Sequence, residues 1–316
     1  MTNISYLLDA KTPLKFDKEW DFFFSALNDS ERVTETFKQI KSDKKYWLII
    51  PEYQYTAAEE PVGELILRTD SLNEADQIIE TIGSVLNENN KNSKICVDIT
   101  GFMRPQILFI LRYFKANNIN TFDMIYTEPL HYTRKEDTDF TLADVSEVRQ
   151  VSGFEGVHNV DMFRDVSNDI LFLGIGYDSD LMSRVSLDKD RARHLQLHSL
   201  PSLSADMYQE SLIRLDRAGL PNNKSDDQVF FSSANDPFFT ATALSKALQK
   251  ICQNTPPSNL YLSPLATKPQ ALGFGLFYLK ELDGAPASII FPFSEKYSRE
   301  TSKGIGRSWL YPIFLQ

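Results

Sequence analysis

Between Asp169 and Phe293 five short apolar runs alternate with helix-length amphipathic stretches, and this alternation restricts the possible folds more than any other feature of the chain. The runs are Asp169 to Gly174, His194 to Ser199, Gln228 to Ser232, Asn259 to Ser263 and Ala287 to Phe293. Helical stretches around Ser179 to Leu187, Ala205 to Ala218, Pro237 to Cys252 and Lys268 to Leu282 separate them. Strands divided by helices of roughly 10–15 residues are the signature of βαβ units and of a mostly parallel sheet.

The first half repeats the pattern less regularly. Strands are expected at Tyr46 to Ile50, Gly63 to Arg68, Lys94 to Thr100 and Thr121 to Thr127, with a helix over Pro105 to Lys115. Ser71-Leu72-Asn73-Glu74 has the form of a capping box. It opens an amphipathic helix through about Leu86, with Ile78, Ile79, Ile82, Val85 and Leu86 on one face. Val145 to Val151 reads as an edge strand that can pair antiparallel, after a solvated turn at Asp137 to Asp144. At 316 residues the chain exceeds the usual size of one domain. The expectation is an α/β chain of two Rossmann-like lobes in series, with mostly parallel sheets flanked by helices. Residues 1–155 form one and 156–316 the other, joined near Gly153 to Asp165.

Charge and composition exclude several classes. The net charge of −10 and pI near 5.0 oppose a generic nucleic-acid-coating surface, which is normally basic. Met1 to Lys11 lacks the layout of a signal peptide, and no run of apolar residues is long enough to span a membrane. Cys96 and Cys252 sit in apolar segments without redox or metal spacing, so both read as buried, inert thiols in a reducing cytoplasm. Four histidines, His131, His158, His194 and His198, do not suggest a His-rich metal site. There is no Gly-x-x-x-x-Gly-Lys-Ser/Thr loop, no Gly-x-Ser-x-Gly elbow and no His-Glu-x-x-His. No cofactor, metal or catalytic residue is named by any motif.

In open parallel sheets ligands bind outside the carboxyl ends of the strands. Those ends supply the candidates. Pro51-Glu52-Tyr53 leaves the first strand with a carboxylate beside an aromatic. Its functional reading is Glu52 accepting ribose or amine hydrogen bonds next to a stacking Tyr53, and its structural reading is a turn whose tyrosines cap the core. Asp98-Ile99-Thr100-Gly101-Phe102-Met103-Arg104-Pro105 is the strongest motif. An acidic strand end and a Thr-Gly turn lead into a helix that Pro105 fits early. Helix-start N–H groups with Arg104 would hold an anion. The alternative is an N-cap by Asp98 or Thr100 with Arg104 in a surface pair. Tyr126 and Glu128, with Tyr132, His131 and Arg134 behind them, can wall the same crevice.

In the second half, Gly174-Ile175-Gly176-Tyr177-Asp178 sits where a dinucleotide fingerprint would, without its third glycine. Gly176 permits close backbone approach, with Asp178 and Arg184 as polar candidates. Ser232 and Asn235 can donate hydrogen bonds to a ligand, although Asn235 or Asp236 also suits a plain N-cap before Pro237. Thr267-Lys268-Pro269-Gln270 repeats the design of the first motif, with a cation at a helix start, where it gains nothing from the dipole. The basic stretch from Tyr297 to Trp309 either folds over the second lobe as a lid, with Arg299, Lys303 and Arg307 reaching in, or is a surface loop pinned by Trp309 and Tyr311.

Over Asp98-Ile99-Thr100-Gly101 the chain resembles the Asp-x-Thr-Gly turn of the CARF- and SAVED-type Rossmann-like sensors of bacterial defence systems. The resemblance covers about eight residues and the two-lobe βαβ order. It implies a pocket for a cyclic oligonucleotide or related nucleotide signal, in antiviral defence, acting through a separate partner protein. Phe102-Met103-Arg104 stands where such sensors often carry a Gly-Thr-Lys-like run. The expected role is therefore a sensor or accessory protein for a nucleotide-like or other anionic small molecule. An enzyme on nucleotide or phosphoribosyl substrates, with Glu52, Asp98 or Glu128 as general base, is the second reading. A protein-interaction scaffold is the third.

Overall fold

The computed structural model describes residues 10–132, 145–156, 166, 168–221, 228–252, 256–299 and 302–315. The expected Asp137–Asp144 turn, Arg134 and His158 lie outside the described residues. In chain order the first elements are β1 (Thr12–Pro13), β2 (Glu19–Ala26), α1 (Glu31–Gln39), β3 (Lys41–Ile49) and β4 (Leu65–Arg68). Then come α2 (Glu74–Glu80), α3 (Ile82–Val85), β5 (Ile95–Asp98), α4 (Arg104–Ala116) and β6 (Thr121–Tyr132). The next are β7 (Val145–Glu155), β8 (Ile170–Gly174), α5 (Ser179–Asp188), β9 (Arg193–Ser199), α6 (Met207–Arg217) and β10 (Val229–Ser232). The last are α7 (Pro237–Ile251), β11 (Leu260–Pro264), α8 (Lys268–Phe277), β12 (Ala287–Ser294) and β13 (Ser302–Phe314).

The chain is an α/β protein with two mostly parallel sheets. A seven-stranded sheet has the order β1-β13-β6-β5-β2-β3-β4, and a six-stranded sheet the order β10-β9-β8-β11-β12-β7. In the first, β2 pairs in parallel with β3 and β5, and β4 and β6 extend it on either side. β13 then closes antiparallel on β6 and carries β1. In the second, β8 is flanked in parallel by β9 and β11, with β10 and β12 beyond them. The two sheets share one winding. The earliest parallel strand of each is central, the next two run to one side and the last two to the other. That order creates a switch point, between β2 and β5 in one sheet and between β8 and β11 in the other.

Two compact units follow. Asp9–Asp144 with Ser294–Gln316 make the first, and Val145–Phe293 belong to the second. The first is thus completed by the end of the chain. This overturns both readings of the Tyr297–Trp309 stretch, since most of it is strand β13 in the first sheet rather than a lid or a surface loop. β7 is an edge strand as expected, but of the second sheet, so the antiparallel pairing of the first falls to β13 and, at its edge, β1. An edge-type pattern reports exposure of one side and not which sheet receives it.

The core of the first unit is aromatic. Phe23, Phe24, Phe37 and Phe114 are fully buried, and Phe37 stacks on Trp47 with ring centroids 3.7 Å apart. Each such burial stabilises by about 2 kcal/mol. The expected helix through Leu86 is broken at Thr81, which leaves Ile79 half exposed while Ile78 and Ile82 stay buried. Its cap is also displaced. Asn73 rather than Ser71 accepts from the first turn, through Ala75 N at 2.8 Å and Asp76 N at 3.2 Å. Asn73 sits next to the first helical residue, so its short amide reaches those donors directly. The helix expected over Lys268 to Leu282 ends at Phe277 and continues as one wider turn, Tyr278–Leu282. Cys96 is buried and burial pushes its thiol up, whereas Cys252, expected to be buried as well, is only partly covered at the end of α7. No helix among the described residues is long and apolar enough to cross a membrane.

Candidate functional site

At the switch point of the first sheet the loops after β2, β3 and β5 converge beside the middle of β6. Asp98, fully buried at the end of β5, shapes the turn that follows it. Its Oδ1 accepts the Thr100 N–H at 2.9 Å and its Oδ2 the Ser25 hydroxyl at 3.2 Å. The Thr100 hydroxyl accepts the Thr127 N–H at 3.0 Å, tying this turn to the middle of β6. Gly101 has to be glycine. A Cβ there would lie 2.1 Å from the Ala26 carbonyl oxygen across the switch point. Its own carbonyl accepts the Tyr53 hydroxyl at 2.7 Å. Asp98, Thr100, Gly101 and Tyr53 are therefore brought together, with polar atoms largely committed to one another.

Arg32, in the first turn of α1, is the cation of this cluster. It is 6% exposed. Its Nη1 donates to the Thr127 carbonyl at 2.9 Å and reaches the Tyr126 hydroxyl at 3.5 Å, while Nε donates to the Ser30 hydroxyl at 3.3 Å. It forms no ion pair among the described residues. Burial pushes the Tyr53 hydroxyl up to about 12, with Asn28, Arg32 and Arg104 acting in the opposite sense. That places two guanidinium groups, one from α1 and one from the first residue of α4, within electrostatic reach of a single phenol.

Glu52 lies beside Tyr53 but faces a different network. Both of its carboxylate oxygens accept from Gln77 Nε2, at 2.9 and 3.0 Å. Gln77 Oε1 accepts from Gln106 Nε2 at 2.6 Å, and Gln106 Oε1 from the Met103 N–H at 2.8 Å. This chain of amides runs from α2 to the start of α4. Burial, with a smaller push from the Glu74 carboxylate, raises the Glu52 carboxyl to about 7. Glu128, 4% exposed, turns towards β13 instead, accepting from Trp309 Nε1 at 2.7 Å and Arg307 Nε at 3.1 Å. His131 is exposed on β6 opposite Lys303.

The second switch point is built alike. A Cβ on Gly176 would lie 2.1 Å from the Leu265 carbonyl oxygen. Asp178 caps α5, accepting from Asp180 N and Leu181 N at 3.1 Å each. Asn235 accepts the Ser233 hydroxyl at 3.0 Å, and Asp236 rather than Asn235 caps α7. Gln270, fully buried, is the hub. Its Oε1 accepts the Ser199 hydroxyl and its Nε2 donates to the Ser232 hydroxyl, both at 2.8 Å. Thr267 caps α8 by accepting the Gln270 N–H at 3.3 Å, and Lys268 is the first helical residue. Ser232, Thr267 and Gln270 thus form one knot of hydrogen bonds. Replacing Gln270 with leucine should destabilise the second unit by about 3 kcal/mol, because Ser199 and Ser232 would be left buried without this partner. Urea denaturation reads this, and a loss below about 1 kcal/mol would show that the knot contributes little to stability.

Comparison with family models, curated proteins and solved structures finds no match. The site is therefore read from its own chemistry. Among the described residues no group of three or more His, Cys, Asp or Glu is placed to hold a metal ion. The starts of α4 and α8 match closely. Met103-Arg104-Pro105-Gln106 and Thr267-Lys268-Pro269-Gln270 each put a cation first, proline second and a buried glutamine third, whose Oε1 accepts the N–H of the capping residue. Asn28, Arg32 and Thr127 are the site residues that motif reading passes over. The signal for the first two is the aromatic run Phe22-Phe23-Phe24, which marks a strand buried on both faces, followed at once by Asn28-Asp29-Ser30.

Proposed function

We propose that the first unit binds a nucleotide-like anion at the switch point between β2 and β5, and that the protein is a sensor or accessory component that passes occupancy to a separate partner protein. The observation that carries this reading is Arg32, a guanidinium 6% exposed that has no carboxylate partner among the described residues. A buried unpaired charge is costly by several kcal/mol, and a bound anion offsets that cost. Arg104 supports it. A cation at the first residue of a helix opposes the helix dipole unless an anion sits beside it. The resemblance of Asp98-Ile99-Thr100-Gly101 to the turn of CARF- and SAVED-type sensors favours a nucleotide over other anions, and antiviral defence as the setting.

A thermal-shift screen against nucleotides, cyclic oligonucleotides and phosphosugars, with and without Mg²⁺, tests the proposal. Ligand at a hundred times its dissociation constant should add about 2.7 kcal/mol of stability. The shift should vanish in Arg104→Ala and in Arg32→Met. No shift with any of these compounds would leave a protein-interaction scaffold as the better account. One observation favours an enzyme as the second reading. Glu52, held near neutrality, is poised as a general base. Product formation that is lost in Glu52→Gln would decide for it.

A further inference from the structure

A second place in the first unit has the features of a ligand site, and it lies along β13 rather than at the switch point. The pairing of β13 with β6 slips between Ile305 and Ser308. Bulges of this kind re-aim side chains and are common beside functional sites. Here the slip opens a cleft of about 330 Å³ between β13, α1 and the segment that follows β1. That volume is at the lower end for small-molecule pockets. Its lining combines the apolar Leu14, Phe16, Ile305 and Trp309 with the polar Thr36, Gln39 and Ser308.

Arg307 supplies the recognition element. Its Nε is anchored on the buried Glu128 carboxylate at 3.1 Å, and its guanidinium lies 5.4 Å from the centroid of the Trp309 ring. Glu128 also holds the Trp309 indole N–H at 2.7 Å, so one carboxylate fixes both Arg307 and Trp309. The side chain of Arg307 remains 66% exposed, and its two terminal nitrogens make no hydrogen bond among the described residues. A guanidinium held by Nε and open at its far edge presents the two parallel N–H donors that a carboxylate accepts. Its charge is already partly met by Glu128, which suits a monoanion better than a phosphate dianion. The Ser308 and Thr36 hydroxyls both bond Thr127 Oγ1, at 2.9 and 3.1 Å, and are held in place by it.

We propose that this cleft binds a small organic monocarboxylate with an apolar or aromatic body, the acid on Arg307 and the body against Leu14, Phe16 and Ile305. Phenylacetate, its neutral analogue phenylacetamide, and phenyl phosphate are the probes, with affinity read by ligand-observed NMR on the full chain. Phenylacetate should bind saturably, and the amide about ten-fold more weakly or less. Arg307→Lys, which keeps the charge and removes the fork, should also weaken phenylacetate about ten-fold. Ile305→Phe fills the cleft from a residue 41% exposed that makes none of the hydrogen bonds to Glu128, and should abolish binding without unfolding the chain. Absence of saturable phenylacetate binding, equal binding of acid and amide, or wild-type affinity in both variants would overturn the proposal. Tighter binding of phenyl phosphate than of phenylacetate would overturn the carboxylate assignment.

Discussion

Gly101→Ala is expected to destabilise the first unit by about 3 kcal/mol, at the upper end for a small overpacking change. The added methyl would sit 2.1 Å from the Ala26 carbonyl oxygen and 3.1 Å from its carbon. Neither atom can move away cheaply. Ala26 ends the central strand, its neighbours pair with β3 on one side and β5 on the other, and the Leu27 N–H is bonded to the Leu48 carbonyl at 2.9 Å. The strain must instead part the two loops, which would also break the bond from the Tyr53 hydroxyl to the Gly101 carbonyl. Urea denaturation of the variant measures the effect. A loss under about 1 kcal/mol would mean that the loops across the switch point separate easily, and that the geometry around Arg32 is softer than its contacts imply. Gly176→Ala is the equivalent change in the second unit, with the Leu265 carbonyl in the role of Ala26.

The second large effect is one of pH. Glu52 titrates at about 7 in the folded protein against a usual value of 4.5, chiefly because it is buried. The folded state therefore keeps a proton that the unfolded chain has already released. The stability tied to this group is intact below pH 4.5 and is lost as pH rises through 7. The loss is about 3 kcal/mol. Glu52→Gln cannot ionise, so between pH 4.5 and pH 7.5 its stability should rise relative to wild type by about that amount. The comparison has to be between variant and wild type. His198, whose burial lowers it to about 4, acts in the opposite sense over an overlapping range and cancels only in the difference. A variant that tracks wild type at every pH would show that Glu52 stays ionised in the fold, and would remove the case for it as a base.

The sequence was most readable where strands and helices alternate without interruption. All five strands and four helices expected between Asp169 and Phe293 are present, with ends shifted by one or two residues in most cases. Hydrophobic periodicity alone carries that information. It failed at β2, the centre of the first sheet; α1, the source of Arg32, was passed over although its apolar face is well marked. Trp20, Phe22, Phe23 and Phe24 are all buried, so β2 shows no alternation for a two-residue period to detect. It failed again at β13, because antiparallel pairing to residues 170 to 193 positions away leaves no local trace. Among the candidate site residues, strand-end position found Asp98, Thr100, Gly101, Tyr53 and Tyr126, which do converge. The same rule could not tell that Glu128 turns towards β13, or that Ser232, Thr267 and Gln270 bond one another, since partner choice is decided by packing across the sheet.

The return of β13 also sets the order in which this protein can be made. Chains leave the ribosome from the N-terminus, and domains generally fold as they emerge. Here the parallel strands of the second unit have all been synthesised by Ser294, while the first still lacks the strand that covers β6 and carries β1. The half of the molecule encoded first is therefore finished last, and until then the open edge of β6 is a surface for a chaperone or for aggregation. A fragment cut at Asp144 would keep that edge for good. A faithful isolated first unit has to be made by excising Val145–Phe293 and joining the flanks, not by truncation.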